Sequence, residues 1–139
     1  MTAFLGAFAL VAMMSTTITK PTPEREPNKC THWRGTVSGN DPSVSVTATL
    51  CPAAKHRVTG TLVWESKRSG TNTRTLEGTR SGGAFTLRDV ALTGTPNPGW
   101  VFCKIDRYDL VLSGDDKLDG TYHSSACRDN ATIELARVR

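Results

Sequence analysis

The chain is 139 residues long, enough for one domain with a modest core. Its 17 Lys and Arg outnumber its 13 Asp and Glu to give a formal net charge of +4, and all of these residues lie at or beyond position 20. The cations are scattered, with one loose group at Lys67, Arg68, Arg74, Arg80 and Arg88 that Glu65 and Glu77 interrupt, which excludes the dense, aromatic-laced basic stripe of a nucleic-acid binder.

Residues 3–14 (AFLGAFALVAMM) form an unbroken apolar run ahead of a polar stretch. This is the pattern of a signal-peptide core, and the run is shorter than the roughly 20 residues that span a bilayer. Residues 1–19 are therefore expected to be a signal peptide or N-terminal anchor, with no other stable membrane insertion, and the protein is expected to be secreted or periplasmic. Cys30 follows Pro-Asn-Lys and not a small apolar triplet, which argues against a lipoprotein. Residues 20–29, rich in proline and charge, read as an extended tether, and the folded domain as 30–139.

From Cys30 onward, short runs of Val, Thr, Leu and aromatics alternate with Gly, Asn, Asp, Pro and Ser clusters, and no window has a helical period. Strands are expected at 32–38, 44–51, 57–65, 74–80, 85–92, 101–112, 118–126 and 132–138. Short connections favour an all-β fold, a single antiparallel up-and-down β-barrel of about eight strands, since closure removes exposed edges. An apolar-x-Gly-Thr pattern recurs at Trp33–Thr36, Val58–Thr61, Leu76–Thr79, Leu92–Thr95 and Leu118–Thr121. Strand alternation places each of these glycines on the face of the apolar residue two positions before it, so the glycines are expected to point inward where packing is tight.

Two hairpins fix registers. A turn at Asn40-Asp41 opposes Val37 to Val44, Gly35 to Val46, Trp33 to Ala48 and Cys30 to Cys51. A turn at Asp115 opposes Leu112 to Leu118, Tyr108 to Tyr122, Asp106 to Ser124 and Cys103 to Cys127. Directly opposed strand residues come close enough for a disulfide, so Cys30–Cys51 and Cys103–Cys127 are the expected bonds, clamping hairpin ends on the outer face.

His32 and His123 share a face with these cysteine pairs, but each group offers three ligands without zinc-like spacing, and disulfides suit an exported chain better. Asp115, Asp116 and Asp119 lack the spacing of a calcium loop and read as a turn. Asp106, His123 and Ser124 or Ser125 contain the residue types of a hydrolytic triad, yet the register puts the histidine outside and the aspartate inside. No catalytic set, metal or cofactor is expected. Inside the barrel, Trp33, Trp64, Tyr108, Tyr122 and Asp106, with Arg74 and Arg80, would line a small-ligand pocket or fill a packed core in which Asp106 pairs with Lys104 or an arginine near the rim. Trp100, in the loop Pro96-Asn97-Pro98-Gly99-Trp100, is expected to be a lid or an anchor for a partner.

The Trp-x-Gly-Thr opening, the repeated Gly-Thr strands and the closing Leu-x-Gly-Thr-Tyr resemble, in layout, the small secreted β-barrels of the avidin and lipocalin type. The layout is also similar to that of small barrel inhibitors of secreted bacterial proteases, which implies a route through the tether at 20–29 into a protease cleft. The expected function is a non-enzymatic binding module holding a small ligand or a protein partner at the barrel mouth or rim. A hydrolase inhibitor and a structural, envelope-associated domain are the alternatives.

Overall fold

The computed structural model describes residues 29–39 and 44–139. The expected leader or anchor (1–19), and all of the expected tether except Lys29, lie outside the described residues. Eight strands follow in chain order: β1 (Thr31–Ser38), β2 (Ser45–Pro52), β3 (Arg57–Ser66), β4 (Gly70–Ser81), β5 (Ala84–Gly94), β6 (Asp106–Ser113), β7 (Lys117–Ser124) and β8 (Asp129–Val138). Each is antiparallel to its neighbours, and β8 returns to β1 to close the barrel. Both hairpin registers are as the sequence implies: Trp33 opposes Ala48, Gly35 opposes Val46, Tyr108 opposes Tyr122 and Leu112 opposes Leu118. Both disulfides form as expected, Cys30–Cys51 and Cys103–Cys127, with Cα separations of 4.1 and 5.7 Å.

The glycine repeat has a definite physical role in four of its five copies. A Cβ added at Gly35, Gly60, Gly78 or Gly120 would stand 1.8, 2.2, 1.9 and 1.9 Å from the carbonyl oxygens of Glu134, Thr49, Thr86 and Asp109 in the next strand. No side chain fits at such a separation, so the strands roll against one another there and the sheet curls tightly. In the fifth copy the approach is looser, a Cβ at Gly94 standing 2.6 Å from the Thr71 carbonyl oxygen. Gly94 is exposed at the end of β5 with φ of +124°, beyond a bulge at Val90 where the pairing with β4 shifts.

Two further expectations need correction. Residues 101–105 are not strand: Pro96, Pro98 and Gly99 break the ladder, Ile105 turns the chain at φ of +59°, and β6 begins only at Asp106. Consequently Cys103–Cys127 does not clamp ladder partners. It ties two connections together beyond the last pair, Asp106 with Ser124. Arg80 is not part of the interior either, since it is half-buried at a barrel end with its guanidinium 5.1 Å from the Phe85 ring centroid.

The barrel has two unlike ends. The Cys30 end carries the β2–β3, β4–β5 and β6–β7 turns, and its half of the interior is apolar, packed with Val58, Phe85, Leu87, Leu110, Leu118 and Leu135. The Trp100 end carries the other four connections, and its half contains the buried polar side chains of the described residues: Ser66, Asn72, Arg74, Asp89, Asp106 and Ser124.

Replacing Gly120 by alanine is expected to cost about 3 kcal/mol or more, because the carbonyl it would strike belongs to a paired strand that cannot retreat without breaking its ladder. Thr121→Ala, exposed on the outer face, should stay within about 0.5 kcal/mol of wild type. Urea unfolding at neutral pH compares the three, and a Gly120→Ala protein as stable as wild type contradicts the close-contact account.

Candidate functional site

The alternation that makes the core also carries charge into it. In β4 the inward series runs Gly70, Asn72, Arg74, Leu76, in β5 Phe85, Leu87, Asp89, and in β6 Asp106, Tyr108, Leu110. Where these series approach the Trp100 end they change from leucine to ionisable residues, and the strands hold those residues face to face. Arg74 Nη1 donates to Asp89 Oδ2 at 2.6 Å, to Asp106 Oδ2, and to Tyr108 Oη at 3.3 Å, while its Nε donates to Asn72 Oδ1 at 2.9 Å. Tyr108 Oη donates to Asp89 Oδ1 at 3.1 Å, and the Asp106 N–H donates to Asp89 Oδ2 at 3.2 Å. The guanidinium lies 5.1 Å from the Trp64 ring centroid; Trp64 meets Tyr122 edge-on at 5.1 Å, and Tyr122 meets Tyr108 at 5.7 Å.

Four of the residues singled out from sequence, Trp64, Tyr108, Tyr122 and Asp106, are thus brought into one network with Arg74. Of the two partners expected for Asp106, Lys104 or an arginine, the structure shows the arginine: Asp106 is bonded to Arg74, and it is fully buried. Trp33 belongs to the other half of the barrel, where its Nε1 donates to Thr31 Oγ1 at 2.9 Å. Asp89 and Asn72 escaped the sequence reading. The signal for Asp89 was present: it stands in phase with Phe85 and Leu87 on the apolar face of its strand.

Burial sets the electrostatics of the group. It drives the Tyr108 hydroxyl well above the ordinary tyrosine range and raises that of Tyr122, with the Asp106 charge adding to the second. Burial alone would lower the Arg74 pKa, but facing Tyr108, Asp89 and Asp106 outweighs it and holds the value above that of an ordinary arginine. Asp89 is raised, again chiefly by burial, with Asp106 adding to the shift and Arg74 opposing it. His123, which a triad would need beside Asp106, faces outward on Asn130, and His32 meets Thr49.

The second part of the site is the rim. Residues 95–105 connect β5 to β6, and Asn97 fastens them to the β3–β4 turn: its N–H donates to Ser69 O at 2.9 Å and its Nδ2 to Arg68 O at 2.9 Å and Lys67 O at 3.2 Å. The Trp100 N–H donates to Asn97 O at 3.0 Å, the Arg68 guanidinium stands 5.2 Å from the Trp100 ring centroid, and Cys103–Cys127 fixes the loop's far side. So held, the loop presents Trp100 at 41%, Val101 at 78% and Ile105 at 75% exposure. Lys67, Arg68, Lys104 and Arg128 are exposed around it, and none of them takes part in an ion pair among the described residues.

No family model matches the chain, and comparison with curated proteins and with solved structures also gives no match. What the structure shows is the closed eight-stranded antiparallel meander itself, and no match ties it to the avidin or lipocalin type.

Two outcomes are expected of the network. Arg74→Met, which strands two buried carboxyls, should cost about 3–5 kcal/mol in urea unfolding. The raised Asp89 pKa means that the folded chain holds this proton more tightly than the unfolded chain. Its contribution is fully present below the ordinary aspartate value of about 3.9 and is lost as pH rises through the folded value. The stability of wild type relative to Asp89→Asn should therefore fall as pH rises above about 4, and a difference that stays flat with pH contradicts the assignment.

Proposed function

We propose that the protein is a non-enzymatic, extracytoplasmic binding module that engages a protein partner through the loop around Trp100. One observation carries this reading. Of the six exposed large apolar side chains among the described residues, three (Trp100, Val101 and Ile105) lie on the single connection of residues 95–105. Exposed apolar side chains scattered singly need no explanation, but a concentration of them on one pinned loop does.

The physics of association favours such a loop. Its side chain and backbone bonds, and the disulfide at its far end, supply order before any partner arrives, which lowers the entropy that binding must overcome. Trp100 has the large, stiff, amphipathic surface typical of a binding hot spot. The exposed cations around it, which take part in no ion pair among the described residues, point to a partner surface with an apolar recess ringed by acidic groups. A small ligand held inside, as the avidin and lipocalin layout suggests, would first have to displace side chains that are already bonded to one another across β3 to β7. The two disulfides are compatible with an oxidising compartment outside the cytoplasm.

Partner recovered on the wild-type protein from the extracytoplasmic fraction should bind Trp100→Ala about thirtyfold more weakly or worse. Val111→Ala, exposed on the outer face of β6, should bind as wild type does. Unchanged affinity in both Trp100→Ala and the Val101→Ser/Ile105→Ser double variant would sink the proposal.

A further inference from the structure

At the opposite, Cys30 end of the barrel, an open pocket of about 250 Å³ lies between the β2–β3 and β4–β5 turns. Pro52, Ala53 and Val58 supply its apolar surface, Arg57 and Arg80 its charged surface, and the His56 imidazole lines it beside them. The pocket is built by a locked turn. The Ala53 N–H donates to Arg57 O at 2.8 Å, and the Arg80 N–H donates to His56 O at 2.8 Å, so the turn is fastened to β4. Within it, Lys55 and His56 hold φ of +56° and +63°, two consecutive side-chain-bearing residues in the left-handed region.

Arg80 is the oriented group. Its Nε donates to Gly82 O at 2.7 Å and its guanidinium lies 5.1 Å from the Phe85 ring centroid, which fixes the plane of the fork while its terminal nitrogens remain to donate. Local charge is in surplus. The nearby carboxylate, Glu77, is bonded to Arg88 at 2.6 Å and reaches Arg57 only at 4.0 Å, and Arg80 takes part in no ion pair among the described residues. Lys55 adds a further exposed cation on the same turn.

We propose that this pocket binds an oxyanion (a phosphate, sulfate or carboxylate) carried on a compact apolar body. The Arg80 fork receives the oxyanion, Arg57 and Lys55 supplement its field, and Pro52, Ala53 and Val58 take the apolar part. The size fits that class: the volume lies below the range of about 300–1,000 Å³ typical of drug-sized ligands. This site is separate from the rim at Trp100, and neither reading depends on the other.

Titration of the full folded chain with phenyl phosphate, phenyl sulfate and benzoate, followed by amide chemical shifts, tests the proposal. At least one anion should produce saturating shifts confined to residues 53–58 and 80–82, neutral benzyl alcohol should produce none there, and the three arms rank the oxyanions. Arg80→Gln should weaken binding by about tenfold or more. Should Arg80→Gln fail to fold, Arg57→Gln, altered at an exposed side chain, should weaken it as well. Arg68→Gln, at the other end, should leave it unchanged. Absence of saturation with all three anions, shifts spread evenly over the surface cations, or wild-type affinity in both pocket variants overturns the proposal.

Discussion

The carbonyl oxygens of Glu134, Thr49, Thr86 and Asp109 occupy the space where Gly35, Gly60, Gly78 and Gly120 would otherwise carry a Cβ. Everything else in the molecule depends on that approach. A sheet of eight strands closes on itself only if it coils strongly, and these positions on β1, β3, β4 and β7 let neighbouring strands roll together. Tight coiling sets a narrow interior, a narrow interior is filled by its own side chains, and a filled interior moves function outward to the rims. Closure also removes the unpaired edges that would make eight exposed strands prone to pair with other chains.

Within that interior the two halves are stabilised in different ways. The Cys30 half gains from removal of leucine, valine and aromatic surface from water, an effect without direction that tolerates repacking. The Trp100 half relies on directed bonds: one arginine reaches carboxyls on two strands and a tyrosine on one of them, and stacks on a tryptophan from a third. Buried ion pairs contribute little net free energy once desolvation is counted, but breaking one is costly. The network therefore specifies how β4, β5 and β6 meet just where the β5–β6 ladder ends, at Arg88 with Arg107. The rim loop departs from that point, so its mounting is stiff even though its sequence is rich in turn-forming residues.

Much of this was legible from the chain. Strand alternation and two turn centres sufficed for the registers, because a slip of one residue would have exposed Trp33, Tyr108 and Tyr122 together, and the cysteine pairing followed from the same registers. What failed did so for identifiable reasons. Val101, Phe102 and Ile105 have strand-like side chains, but the prolines before them and the left-handed Ile105 deny them a ladder, so propensity lost to backbone geometry. The β4 strand starts four residues earlier than expected because Asn72, polar enough to read as loop, is buried and bonded to Arg74. Asp89 was missed since a charge in a strand is ordinarily read as outward-facing; its phase with Phe85 and Leu87 points inward instead, and Arg74, fifteen residues earlier in the sequence, is the partner that makes its burial tolerable. Exposure of Val101 and Ile105, on which the functional reading rests, has no local sequence signal at all.

The barrel is closed at its Trp100 end by its own bonded side chains, which leaves the rim loop as the presented surface. Hydrogen exchange of individual side-chain N–H groups, followed by NMR near neutral pH, tests it directly. Arg74 Nε and Trp33 Nε1 should exchange slowly, whereas Trp100 Nε1 and the guanidinium of Arg107 should exchange rapidly with solvent. An Arg74 Nε proton that exchanges as fast as that of Arg107 would mean an open, water-filled mouth, and would contradict the account.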